Sequence, residues 1–115
     1  MIPILTEATW RGLAEGQVCR LLAIDPVNGL QRVILESREV AYEAPNWTPD
    51  GEWIIVNAAG RLYRVPAAGG SASPVESGDL LDSNNDHLVS RDGATIYSSS
   101  ETTGCLLYTS DAADE

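Results

Sequence analysis

Between residues 46 and 76 the chain reads "NWTPDGEWIIVNAAGRLYRVPAAGGSASPVE", short apolar runs cut at close intervals by turn residues. Asp50-Gly51 separates Trp47 from "EWIIV", Ala59-Gly60 separates "WIIVN" from "RLYRV", and Gly69-Gly70 separates that from "ASPVES". Glycine supplies the positive φ that tight turns need, and an aspartate before it hydrogen-bonds its own backbone across the turn. The pattern predicts four short strands in one antiparallel meander. "WIIV" is nearly continuous in apolar residues, which predicts an inner strand covered on both faces. "RLYRV" and "LQRVILE" mix charged with apolar residues, as strands nearer solvent do. A helix has little room: "LQRVILESREVAYEA" is long enough and free of Gly and Pro, but rich in β-branched residues, leaving at most a short helix or turn near 37–40.

The pattern then restarts. "HLVSRDGATIYSSS" places Asp92-Gly93 42 residues after Asp50-Gly51 (92 − 50), with Ser90 in the place of Thr48 and "ATIYS" in the place of "EWIIV". Backwards along the chain, "LLAIDPVNGLQRVILES" parallels "RLYRVPAAGGSASPVES": Asn28-Gly29 precedes Gly69-Gly70 by 41 residues (69 − 28), and Val33 precedes Val75 by 42 (75 − 33). A period in the low forties with four strands per unit is that of β-propeller blades. The expected fold is all-β, a fragment of a β-propeller with about two antiparallel four-stranded blades, one complete and flanked by partial ones. The expected organisation is a lead segment (1–16), the end of a first blade (17–40), a complete blade (41–79), the start of the next (80–104) and a tail (105–115). Propellers close from about 4–8 blades, so the first expected partner is the set of missing blades of its own full-length chain. A piece of this size exposes apolar blade faces and unpaired strand edges.

These residues resemble the WD-repeat-like propeller repeats of the TolB family. The family's blade opens with Trp or Phe, then Ser-Pro-Asp-Gly, then a basic residue and an apolar strand. Here it reads "NWTPDGEWIIV", with Thr48 for the serine and Glu52 for the basic residue. The second copy, "LVSRDGATIYS", keeps Ser90, Asp92 and Gly93 but has Arg91 for the proline and Val89 for the aromatic, and "GRLYRVPAAGG" is similar to the family's third strand and hairpin. The resemblance runs from about Gln17 to Gly104 and specifies a blade rather than a function. Within it Pro49, Asp50 and Gly51 are turn residues, Trp47 and Trp53 fill space between blades, and a catalytic role for Asp50 or Asp92 lacks an identified partner. The resemblance implies a scaffold whose loops hold a protein or peptide partner on the propeller face. The family's namesake works in the periplasm in an envelope complex.

Composition narrows the partners. The 115 residues carry a formal net charge of −10, and all seven basic residues are scattered arginines. A nucleic-acid binder needs a basic stripe, so nucleic acid is not an expected partner, and an anionic membrane surface would repel the chain. No apolar run approaches the ~20 residues of a membrane-spanning helix, so no membrane insertion is expected. The start "MIPILTEATWRGL" has no basic region ahead of its apolar stretch, which predicts a cytoplasmic protein. The periplasm is the alternative if the true amino terminus lies upstream. Cys19 and Cys105 form no paired spacing and no metal-ligand CxxC.

One stretch offers candidate chemistry. "DSNNDHLVS" holds the single histidine, His87, behind Asn84, Asn85 and Asp86, and by the 42-residue offset Asn85 corresponds to Glu43. This segment is expected to connect one blade's outer strand to the next blade's inner strand, so Glu43, Asn84, Asn85, Asp86 and His87 are the candidate ligand-binding residues at the channel mouth. Two readings compete. In the simpler one the asparagines and Asp86 make Asx-turns and His87 hydrogen-bonds a neighbouring blade. In the other, His87 and a carboxylate contribute to a metal or polar-ligand site, although a lone histidine with no second ligand at metal spacing is weak evidence. No phosphate-binding loop or Gly-x-Ser-x-Gly elbow occurs, so no cofactor and no catalytic residue is assigned. The expected function is a protein- or ligand-binding scaffold; the alternative is part of a propeller-containing hydrolase or lyase.

The closing "CLLYTSDAADE" offers Leu107-Tyr108 against Leu62-Tyr63, yet lacks the Val, Pro and Gly-Gly that the repeat predicts next. It resembles one reading frame of the transposase adapter of short-read library preparation, from Cys105 to the last residue. The expectation is a bacterial gene from a metagenomic read, cut mid-blade and translated into adapter, which removes Cys105 from consideration.

Overall fold

A computed structural model of the protein describes residues 12–76 and 83–100; the start of the lead segment, with Trp10, and the tail at 105–115 lie outside them. Eight strands follow in order: β1 (Cys19–Ile24), β2 (Gln31–Ser37), β3 (Glu43–Trp47), β4 (Trp53–Ala58), β5 (Arg61–Pro66), β6 (Ser73–Pro74), β7 (Ser83–Val89) and β8 (Ile96–Ser100). They form three antiparallel sheets in which neighbours in space are neighbours in sequence: β1-β2, β3-β4-β5-β6 and β7-β8. No helix occurs among the described residues, so none there is long and apolar enough to cross a membrane. The stretch at 37–40 is a turn in which Ser37 Oγ accepts the backbone N–H groups of Glu39 and Val40.

Strand β4 is where the three sheets meet. Side chains alternate between the two faces of a strand, and β4 is apolar on both. Ile54 and Val56, with Val65 of β5, pack on Leu21 and Ile34 of the first sheet. Ile55, with Leu62 and Val75, packs on Ile96 of the third. The central sheet is thus covered on both sides, as the unbroken "WIIV" run requires. The run belongs to the second strand of the sheet, with β3 ahead of it at the edge. Each fully buried aliphatic side chain here stabilises the stack by about 1.5–3 kcal/mol.

The two clusters are copies of one contact. Leu21 and Ile34 stand in the first where Leu62 and Val75 stand in the second, 41 residues on (62 − 21, 75 − 34), while Ile54 and Ile96 are 42 apart (96 − 54). The sequence parallel matched Val33 to Val75; the structure assigns that place to Ile34. Val33 is 53% exposed and Ile34 is 4% exposed. The cause is a register shift in β1-β2, where Leu21 faces Leu35 and Leu22 faces Val33, leaving Ile34 as an extra residue. A one-residue slip of this kind sends the neighbouring side chain to the other face.

The outward faces of the stack remain apolar. Leu22, Ile24 and Val33 are exposed on the first sheet, and Leu88 and Tyr97 on the third. Trp47 shares a face with its cross-strand partner Ile54, looking toward the first sheet, and is 53% exposed because only β1 and β2 stand there among the described residues. Its neighbour Trp53 is half-buried beneath the Arg64 guanidinium, 4.4 Å from the ring centroid. Polar ties also join the sheets: Arg32 Nη1 donates to the Ala67 carbonyl at 2.9 Å, and the Ser83 N–H donates to the Gly60 carbonyl at 2.9 Å.

The β4-β5 hairpin turns on two residues, Ala59 at φ 48° and Gly60 at φ 82°. Two successive positive φ values mark the primed turn that suits strand twist, and it favours Asn or Gly at the first position. An alanine there costs about 1 kcal/mol. Ala59→Asn should therefore raise the stability of the chain by about that amount, read as a higher urea midpoint with an unchanged slope; an equal or lower midpoint would show that the turn carries no strain.

Candidate functional site

The two Asp-Gly turns, read from the sequence as structural, are built on the same three side-chain bonds, and Thr48 Oγ1 adds a contact to the Trp53 carbonyl at 3.1 Å in the first. Thr48 Oγ1 donates to Asp50 Oδ1 at 2.6 Å and accepts the Trp53 N–H at 3.1 Å, while Asp50 Oδ1 also accepts the Glu52 N–H at 2.9 Å. In the next copy Ser90 Oγ donates to Asp92 Oδ1 at 2.7 Å and accepts the Thr95 N–H at 3.0 Å, and Asp92 Oδ1 accepts the Ala94 N–H at 3.0 Å. Gly51 at φ 75° and Gly93 at φ 79° complete each turn. The hydroxyl and backbone hydrogen bonds hold both carboxyls below the usual aspartate range. These aspartates are fastening devices, fully engaged at neutral pH.

The second polar constellation lies between blades. Asn57, buried on β4, faces the third sheet. Its Nδ2 donates to Asn85 Oδ1 at 2.8 Å, and its Oδ1 lies 2.9 Å from His87 Nε2. With the amide oriented by Asn85, Nε2 carries the proton and donates. His87 is 7% exposed, and burial lowers its pKa below the ordinary histidine value, with Asp86 opposing the shift. His87 Nδ1 is buried with no hydrogen-bond partner, as is Asn46 Oδ1 on β3. The histidine therefore spends its reachable nitrogen on a neighbouring blade. Among the described residues no three of His, Cys, Asp and Glu stand close enough to hold a metal ion.

The expected connecting segment is itself a strand. Asn84, Asn85, Asp86 and His87 lie within β7, the first strand of the third sheet, because the chain enters its ladder already at Ser83. What looked like loop composition is a bulge. In β3, Ala44 and Pro45 together stand opposite Val56 alone, with Ala44 at φ 54°. In β7 three residues, Asn84 to Asp86, stand opposite Ser99 alone. Asn84 Oδ1 holds this wider bulge by accepting the Asp86 N–H at 2.8 Å and Ser99 Oγ at 2.7 Å. The bulge exposes Asn85 and Asp86, while Glu43 opens β3 at the corresponding end. Of the five candidate residues, the structure joins Asn84, Asn85, Asp86 and His87 in one element, and places Glu43 across the ladder from Asn57. Sequence reasoning missed Asn57, whose signal was an amide inside an otherwise apolar strand.

Comparison with known proteins fits this geometry. A solved structure from Agrobacterium tumefaciens, described as a TolB candidate, superposes with a TM-score of 0.59 and 40% identity over 63% of this chain. The chain is a TolB-like β-propeller region. An uncharacterized protein of Agrobacterium fabrum is 44% identical over 71 residues, 61% of this chain. The TolB-like region spans about a quarter of each relative, 24% of the curated protein and 26% of the solved chain. No family model matches the sequence.

Two tests address these polar groups. Thr48→Val leaves the Trp53 N–H unpaired and should cost about 1–3 kcal/mol, whereas Thr48→Ser keeps the hydroxyl and should be nearly neutral; equal midpoints for Val and Ser would remove the hydroxyl from the account. The second test concerns pH. The folded state favours neutral His87, so its contribution is complete above the free histidine value of about 6.5 and declines as pH falls through the lowered folded value. Urea midpoints between pH 7.5 and 5.5 should drop more for the wild type than for His87→Gln, and parallel drops would assign the pH response elsewhere.

Proposed function

We propose that this TolB-like region is part of a binding scaffold for a protein or peptide partner and has no catalytic activity of its own. The observation that carries the reading is the three-residue bulge opening β7, which presents exposed Asn85 and Asp86 at one end of the blade. Bulges re-aim side chains and recur beside functional sites, and a polar rim on a rigid β scaffold is suited to recognition. The groups that would serve acid-base chemistry are engaged in the fold: Asp50 and Asp92 fasten turns, and His87 bonds Asn57.

A hydrolase or lyase reading draws on one atom, the buried and unpaired Nδ1 of His87. The two readings separate by experiment. Peptides selected from a displayed random library on this chain should lose at least tenfold in affinity when Asn85 and Asp86 are both changed to alanine. Selection of peptides indifferent to those changes, or a hydrolytic turnover that needs a divalent metal and disappears in His87→Ala, would replace the scaffold reading with the enzymatic one.

A further inference from the structure

The polar contact between the central and third sheets can be wired in two directions. His87 Nε2 lies 2.9 Å from Asn57 Oδ1, and Asn57 Nδ2 lies 2.8 Å from Asn85 Oδ1. An imidazole nitrogen donates or accepts according to where the proton sits, and a carboxamide turned end for end exchanges its donor and its acceptor. With the proton on Nε2, the ring donates to the Asn57 oxygen, the Asn57 amide donates to the Asn85 oxygen, and the NH2 group of Asn85 is left over. With the proton on Nδ1, both amides turn, Nε2 accepts, and the Asn85 oxygen is left over.

The far side of the imidazole decides between them. His87 Nδ1 is buried with no hydrogen-bond partner. A buried N–H without an acceptor is rarer in native proteins than an unused acceptor lone pair, so the proton belongs on Nε2 and Nδ1 stays bare. Burial also lowers the histidine pKa, with Asp86 opposing the shift, which keeps a second proton off Nδ1 at neutral pH.

We infer that His87 and Asn57 are positioning residues that turn the N–H end of the Asn85 carboxamide outward, so that the rim of β7 sets N–H donors beside the Asp86 carboxylate and takes a basic residue of a peptide partner. This rests on the scaffold reading above and supplies the chemistry of its partner. Asn85, its oxygen bonded to Asn57, calls for a carbonyl, and Asp86 calls for a cation. An arginine or lysine in an extended segment brings both, its own backbone C=O and its charged head. A carboxylate would suit the Asn85 donors but be repelled by Asp86. The bulge fixes the pair from within, because Asn84 Oδ1 accepts the Asp86 N–H at 2.8 Å and Ser99 Oγ at 2.7 Å. A following blade of the same build leaves this rim open. Glu43 and Ala44 hold the equivalent places 42 residues earlier (85 − 43, 86 − 44), and both stay partly exposed with β7 packed beside β3.

The wiring is read first on the unaltered chain. Long-range nitrogen–proton NMR at neutral pH should find the His87 proton on Nε2, and a proton on Nδ1 would overturn the inference. Peptides selected from a displayed random library on the wild type should be enriched in arginine or lysine; selection of peptides without a basic residue would overturn the partner's chemistry. Asn57→Asp offers an oxygen to both neighbours, so Asn85 must turn its N–H end inward and its oxygen outward. Affinity for the selected peptides should then fall about tenfold or more, although the added negative charge by itself favours a basic peptide. His87→Gln keeps a donor toward Asn57 and should bind as the wild type does. Asn57→Asp binding like the wild type, or His87→Gln falling with it, would count against the positioning role decisively. Changing Asn85 and Asp86 together to alanine separates the two readings. Peptides that stay bound to that variant sink the scaffold and this inference together, whereas peptides lost there but kept by Asn57→Asp sink this inference alone. If Asn57→Asp loses its circular dichroism, the histidine tautomer and the peptide composition, both read on the wild type, still decide.

Discussion

Strand β4 must be covered from both sides, and the rest of the structure follows from that. Ile54 and Val56 face one way and Ile55 the other, all nearly inaccessible to water. A sheet with one apolar face can rest on a single layer, but a sheet whose second strand is apolar on both faces needs a layer on each. Hence the face-to-face stacking, and hence the repetition: the side chains that cover β4 from the third sheet create, on the far side of that sheet, the same requirement again. Leu88 and Tyr97 are that requirement, still uncovered.

Polar chemistry in such a stack is held to narrow limits. Buried polar groups need partners, and apart from His87 Nδ1 and Asn46 Oδ1 the chain meets much of that need here with a small set of side chains, the turn pair being used twice. Thr48 with Asp50 and Ser90 with Asp92 close equivalent turns at one end of the inner strands. At the other end Asn57 satisfies its amide through Asn85 and His87, so the contact between central and third sheets is apolar in the middle and polar at the end where β7 begins. What remains for recognition at this bulge is Asp86 and the exposed part of Asn85 that its bond to Asn57 leaves open.

The repeat, the meander and the two Asp-Gly turns were legible in the sequence because turn residues and short apolar runs mark them directly. The role of Thr48 and Ser90 was half legible: a hydroxyl two positions before the aspartate was visible, its bonds to Trp53 and Thr95 were not. Two readings failed for a shared reason. Val33 was taken for Ile34, and Asn84–Asp86 for a connection, because a bulge shifts which side chain faces the core and no residue type announces it. The histidine's reach to a neighbouring blade was anticipated, but its partner Asn57 was hidden among apolar neighbours, where one amide is easily read as noise in a buried strand.

The bulges have a meaning beyond local geometry. The outer strands repeat at 41 residues and the inner strands at 42, and the extra residue is taken up where β7 sets three residues against one while β3 sets two. The hydrophobic stack downstream of each bulge keeps its spacing regardless. Length and chemistry at the rim are in this way decoupled from the architecture beneath, so each blade is free to diversify its own lip by insertion as well as by substitution, without renegotiating the core it shares with its neighbours.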